Sequence, residues 1–424
     1  MDSLKSNAFS KKALRTKDPP ISWLMKMALA RPHLISLAAG FTDSPSLPAS
    51  EVREILDDLW KEPRDVLAAL QYGNTAGDEI LREWTRQRLE KRDHLNQALS
   101  NEQIVIGNGS QQLLSLVTEI LCDPGDIILL EDPTYFVFLG IVESCGLEAV
   151  PFADSRELRD RLARLKAEGK AGRVKLAYFV SYYRNPTGTS LSSNDKKEIA
   201  GILKDFEQTH PIYILEDAAY RDLRFHGQDI SSFLAHDPRL ERTIYTATYT
   251  KPFATGLKVG FAVAPEALVP PILRFKGNED FGTSHFDQQI LQRVVRGGYY
   301  EKHLEQIAEV YRKKAGAMEQ SLKQHFPKEA QWNTPSGGLY YWVSLPPGTD
   351  CGVESDIFKK SLDAEVFYVP GELCYCESAY RKRPCHQMRL SFGSASIEQI
   401  REGIRRLGSV LKASTLPRFQ HQGG

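Results

Sequence analysis

Between residues 104 and 263 the chain repeats one pattern: a short apolar run, a turn, then a longer stretch whose apolar positions recur every three or four residues. The apolar runs fall at 104–106, 126–130, 147–152, 174–180, 212–215, 243–248 and 258–263. They are short, β-branched and apolar almost throughout, as strands read when both faces are buried. Helical periodicity separates the early ones, as at 111–121 and 194–208. This alternation predicts an α/β fold with a mostly parallel, seven-stranded central sheet flanked by helices. The last two runs are close enough to include an antiparallel neighbour.

Both flanks read differently. A helix near 22–30 ends at Arg31-Pro32, and a short strand at 34–37 runs into a glycine turn at Gly40. A Gly-rich loop then projects Tyr72 before the next helix. Downstream, a long helical pattern over 286–325 leads to strands near 338–343, 366–369 and 387–392 and a closing helix at 396–412. The expected organisation is an N-terminal arm (1–45), a large domain (46–300) and a smaller α+β C-terminal domain (301–424). The polar tail from 413 is expected to fray.

Composition narrows the partners. The 424 residues carry 54 basic and 54 acidic side chains, a formal charge of zero that argues against nucleic acid or an anionic membrane surface. No apolar run approaches the ~18 residues of a membrane span. The six cysteines are scattered, Cys374-Tyr-Cys376 is too sparse for a metal site, and a reducing compartment is expected. The N-terminus lacks the apolar core of a signal peptide, so a cytoplasmic location is favoured. The mildly basic stretch from Lys11 to Lys17 leaves a mitochondrial leader as the alternative.

The candidate chemistry gathers at strand ends, where α/β sheets bind ligands. Thr248-Tyr-Thr-Lys251-Pro places a lysine just past a buried strand, flanked by hydroxyls. A desolvated amine there has a depressed pKa and condenses with an aldehyde. Ile104-Val-Ile-Gly-Asn-Gly-Ser-Gln-Gln112 runs from strand to glycine turn to helix start. The N–H groups of Gly109, Ser110 and Gln111 make a phosphate seat, although the same string also makes a good turn and helix cap. Tyr135 follows the next strand as a ring able to stack on a flat heterocycle. Arg184-Asn185-Pro-Thr-Gly188 and Glu216-Asp217-Ala-Ala-Tyr220 end two more strands. A buried Asp217 needs a cationic partner, and a protonated pyridine nitrogen would serve. Together these groups match pyridoxal 5′-phosphate, which works as an electron sink when bound to a lysine.

The same motifs carry a resemblance. From Gly40 to about Leu411 the chain resembles the class I/II aminotransferases, fold type I enzymes, nearest their aminoadipate, kynurenine and aromatic branch. The resemblance implies that Lys251 carries the cofactor and moves protons, with Asp217 on the pyridine nitrogen and Asn185 and Tyr220 on the ring oxygen. It places Tyr135 on the ring and Gly109, Ser110, Gln111, Thr248, Thr250 and Lys258 around the phosphate. Tyr72 would reach that phosphate from the second subunit of a homodimer. Arg389, with Gly40 and Asn185, would bind the substrate carboxylate. The implied reaction moves an amino group between an L-amino acid and a 2-oxo acid. The alternative is another reaction of the same cofactor: elimination, substitution, decarboxylation or carbon–carbon bond formation. In the family the motif usually reads Ser-x-Ser-Lys with an arginine seven residues on; here it reads Thr248-Tyr-Thr250-Lys251, followed by Lys258.

Overall fold

The computed structural model describes residues 8–415 apart from 32, 96, 208 and 209. Its main sheet has seven strands: β2 (Ile104–Gly107), β3 (Ile127–Glu131), β4 (Glu148–Phe152), β5 (Val174–Val180), β6 (Tyr213–Asp217), β7 (Thr243–Thr248) and β8 (Gly260–Val263), with β1 (Ile35–Ser36) lying elsewhere. The spatial order is β2-β8-β7-β6-β5-β3-β4. Strands β4, β3, β5, β6 and β7 are parallel, whereas β8 runs antiparallel to both of its neighbours. The final pair of apolar runs is therefore the antiparallel one.

Both faces of the sheet are covered, which explains the lack of a polar alternate. Along β3, Ile128 and Leu130 join a core with Leu114, Phe138 and Ile272 from one layer of helices. Ile127 and Leu129 join a second core with Leu158, Leu162 and Ile199 from the opposite layer. Successive side chains of a strand point to opposite faces, so consecutive apolar residues feed two cores. A third core links the β2–β8–β7 end of the sheet to the C-terminal elements.

Those elements form a four-stranded antiparallel sheet of β9 (Gln331–Trp332), β10 (Tyr340–Ser344), β12 (Val369–Pro370) and β13 (Gln387–Ser391), with β11 (Val366–Phe367) pairing outside it. The partner of β11 is β1, in parallel register Ile35↔Val366. The N-terminal arm is thus woven into the C-terminal sheet region: Ser391 N–H donates to the Leu37 carbonyl at 2.6 Å. This path carries residues 38–40 alongside β13 and toward Lys251.

Several expected boundaries shift, and the strand expected near 366–369 is two strands in different sheets. The helical pattern over 286–325 is two helices, His285–Arg296 and Tyr299–His325, broken at Gly297-Gly298, where Gly298 has φ 72°. The expected strand at 258–263 starts only at Gly260, because Lys258 is left-handed at φ 57° and ends a short 3₁₀ turn. No described helix is long and apolar enough to cross a membrane.

Candidate active site

The parallel strands deliver their last residues to one edge of the sheet. Register pairs Val180 with Asp217, and Asp217 with Thr246 two residues before Thr248. Above this edge lies a cleft of about 280 Å³ lined by Gly109, Ser110, Gln111, Tyr135, Asn185, Asp217, Tyr220, Thr248, Thr250, Lys251 and Lys258. Every chain-internal cofactor candidate from the sequence therefore meets at one place.

Lys251 sits in the turn after β7. Tyr249 N–H donates to the Val259 carbonyl at 3.0 Å and Thr250 N–H to Thr248 Oγ1 at 3.0 Å, fixing the loop across β8. Lys251 Nζ donates to the Gly40 carbonyl at 2.7 Å. Burial, followed by the nearby charges of Arg389 and Lys258, pushes its amine down from 10.5 to about 8.

Asp217 is 4% exposed. It accepts from Tyr178 Oη at 2.9 Å and from Ala219 N–H at 3.1 Å, both neutral donors. Burial pushes its carboxyl up to about 6, against the opposing pull of these two bonds. A carboxylate so desolvated is stabilised by a cation, and the cleft face is where one would sit.

At the far side, the helix Gly109–Leu121 begins with Gly109 at φ 71°. Its first N–H groups have no carbonyl one turn back and carry the positive end of the helix dipole. Asn108 and Gln112 are braced from behind by Asp280, at 2.8 and 2.7 Å, and Lys276 Nζ neutralises that carboxylate at 2.8 Å. A side chain at 260 would collide with the Gly109–Ser110 backbone, so a glycine in β8 lets the strand approach the helix start. An anion-binding helix end, a buried acid without a cationic partner and a lysine of lowered pKa fit a phosphorylated pyridine aldehyde.

Arg389 is buried in β13. Its Nη1 donates to Asn185 Oδ1 at 2.6 Å and its Nη2 to the Ala38 carbonyl at 2.7 Å. Its guanidinium lies 4.3 Å from the Tyr340 ring centroid and 5.4 Å from that of Phe136. It is thereby coupled to Asn185 and, through the 38–40 segment, to Gly40.

Tyr72 is not in the cleft. It is 82% exposed and meets Phe281 edge-on at 5.5 Å. Arg184, beside Asn185, is paired with Glu131 at 2.7 Å. Sequence reasoning missed Tyr178, Tyr340 and Asp280. For the two tyrosines the available signal was a hydroxyl inside an otherwise buried strand, which needs a partner. For Asp280 the local signal was only Lys276 four residues before it, while Asn108 and Gln112 lie far away along the chain.

The family model described as "Aminotransferase class I and II" matches residues 33–407. The chain is 31% identical over 414 residues to aromatic-amino-acid aminotransferase 1 of Thermococcus litoralis, covering 95% of this chain and 94% of that protein. Its fold matches the crystal structure of Pyrococcus horikoshii kynurenine aminotransferase with a TM-score of 0.87 at 31% identity, covering 97% of this chain and 98% of that one. The α-aminoadipate aminotransferase of Thermus thermophilus, solved with N-(5′-phosphopyridoxyl)-L-leucine, matches with a TM-score of 0.82 at 28% identity, covering 96% and 98%. The chain belongs to the class I and II aminotransferases, enzymes that use pyridoxal 5′-phosphate to move amino groups between amino acids and 2-oxo acids.

Proposed function

We propose that Lys251 is the residue that holds the cofactor and shuttles the proton at the substrate α-carbon. The observation that carries this is its place: Lys251 lines the same strand-end cleft as Asp217, Tyr135 and the start of the Gly109–Leu121 helix, with Nζ held by the Gly40 carbonyl at 2.7 Å, and burial lowers its amine toward about 8. At pH 7.5 about a quarter of such amines are neutral, against about one in a thousand for an unshifted lysine. Only the neutral amine can attack a carbonyl or accept a proton. Bound there, pyridoxal 5′-phosphate supplies a ring that takes up the electron pair released at the α-carbon.

The remaining roles follow from placement. Asp217 keeps a proton on the ring nitrogen, since a desolvated carboxylate favours a charged neighbour. Tyr220 and Asn185 hold the ring oxygen, and Tyr135 covers the ring face. The N–H groups of Gly109, Ser110 and Gln111, with Thr248, Thr250 and Lys258, take the phosphate. Arg389 binds the α-carboxylate, with Asn185 and the Gly40 segment beside it. The amino acid carries an aromatic or other large, uncharged side chain. The support is that Arg184, the arginine beside Asn185, is paired with Glu131 at 2.7 Å and so is not free for a second carboxylate.

The working form is a homodimer in which Tyr72 completes the phosphate site of the partner. Tyr72, Phe281, Leu67, Leu70 and Phe275 are large apolar side chains left exposed. Such surface marks an interaction face. All six cysteines are free, which suits a reducing, cytoplasmic setting.

Borohydride reduction of the loaded enzyme and peptide mapping tests the central assignment. The label is expected on Lys251 alone; a label on Lys258 or any other lysine overturns it.

A further inference from the structure

Tyr340 is 1% exposed, on β10 in the C-terminal sheet, yet it touches three parts of the site. Its hydroxyl is 2.8 Å from that of Tyr220. Its ring supports the Arg389 guanidinium at 4.3 Å. Its hydroxyl also fills the space beside Gly40, whose carbonyl receives Lys251 Nζ. A Cβ at position 40 would fall inside the envelope of the Tyr340 hydroxyl oxygen, while Cζ of the same ring is 3.6 Å away, an ordinary contact. Gly40 has no left-handed φ, so backbone geometry alone does not demand glycine there.

The hydrogen-bond inventory then constrains the pair. Two phenol hydroxyls hold two protons, and one is used in the bond between them. If Tyr220 is to donate to the cofactor ring oxygen, Tyr340 must donate to Tyr220. A hydroxyl that accepts one bond donates a stronger one, and its O–H direction is fixed. We infer that Tyr340 is a positioning residue: its hydroxyl aims that of Tyr220 at the cofactor, its ring supports Arg389 behind the carboxylate site, and its oxygen restricts residue 40 to glycine. The first two parts rest on the roles proposed above for Tyr220 and Arg389; the third stands on packing alone.

The test reads the visible absorbance of the bound cofactor against pH. Loss of a donor to the ring oxygen removes support for its negative charge, so the titration midpoint rises. For Tyr340→Phe a rise of about 0.3–1 unit is expected. The KM for the amino acid should stay within about twofold, because the ring under Arg389 remains. Tyr340→Ala removes that ring and should raise KM about tenfold or more. Tyr220→Phe should raise the midpoint at least as far as Tyr340→Phe, and the double variant should match Tyr220→Phe alone. Additive shifts overturn the relay through Tyr220. No shift with Tyr340→Phe while Tyr220→Phe shifts overturns the positioning role. No shift with Tyr220→Phe overturns the reading of Tyr220 and the relay with it.

Packing is tested separately. Gly40→Ala should lower the thermal midpoint of the cofactor-free protein in the parent background, and should lower it by less than about half as much when added to Tyr340→Phe. An equal loss in both backgrounds overturns the restriction on residue 40.

Discussion

Asp217→Asn should make the cofactor-free protein more stable and the enzyme nearly inactive. The substitution keeps the shape and removes the charge. In the fold, burial raises the Asp217 carboxyl from 3.8 to about 6. That is about two units, or about 3 kcal/mol of destabilisation when the group is ionised. Asparagine escapes this cost but must be accommodated: Tyr178 has to turn its hydroxyl to accept from the new NH₂, while Ala219 N–H keeps the carbonyl oxygen. Allowing for that, a net gain of about 1–3 kcal/mol remains. For a chain of 424 residues the unfolding entropy is roughly 0.9 kcal/mol per kelvin, so the thermal midpoint should rise about 1–3 °C. The sign with pH is fixed. The native group has the higher pKa, so its cost is full above pH 6, shrinks as pH falls through 6, and vanishes below about 3.8. The advantage of the variant should follow the same course. Activity should fall at least about a hundredfold, because the charge that favours a protonated ring nitrogen is gone. Thermal unfolding of the stripped proteins at pH 8 and pH 4 decides the matter. Equal midpoints at pH 8, or an advantage that persists at pH 4, would show that Asp217 is not held desolvated.

Arg389→Lys keeps the charge but cannot reach both Asn185 Oδ1 and the Ala38 carbonyl, so KM for the amino acid should rise ten- to a hundredfold in steady-state assays while cofactor absorbance is retained. An unchanged KM would place the carboxylate elsewhere. The homodimer is checked by light scattering with simultaneous assay: Tyr72→Ala should weaken cofactor retention in a dimer, and an active monomer refutes the shared site. Lys258→Ala should weaken cofactor binding about three- to tenfold by equilibrium dialysis and Lys258→Arg should restore it; no loss on Lys258→Ala means the side chain does not serve the phosphate.

What the sequence made legible is what is local along the chain. Each strand announces itself as a short apolar run, and the residue that follows it is automatically at the cleft edge of a parallel sheet. Asp217, Thr248 and Lys251 could be named for that reason. Their supports could not, because they depend on contacts between distant segments. Tyr220 and Tyr340 are 120 residues apart, and Asn108 and Asp280 are 172 apart. Arg184 is likewise held by Glu131, which ends a different strand.

Lys258 shows the same limit acting on the backbone. The alternation of Lys258-Val-Gly-Phe-Ala-Val reads as one strand, but pairing with β7 stops at Thr248↔Gly260. Gly260, the first residue of β8, packs directly against the Gly109–Ser110 backbone, where a Cβ would collide. Lys258 lies in the left-handed region and is exposed at the lip of the cleft rather than embedded in its wall. A charge on a flexible stem at a solvated lip reaches a phosphate only by giving up rotamer freedom, and its attraction is screened. The loss expected for Lys258→Ala is therefore set well below that of a buried, forked arginine contact. On the roles proposed above, the helix start carries most of the phosphate affinity, because the Thr248 and Thr250 hydroxyls already donate to the Val259 carbonyl at 3.1 and 3.5 Å.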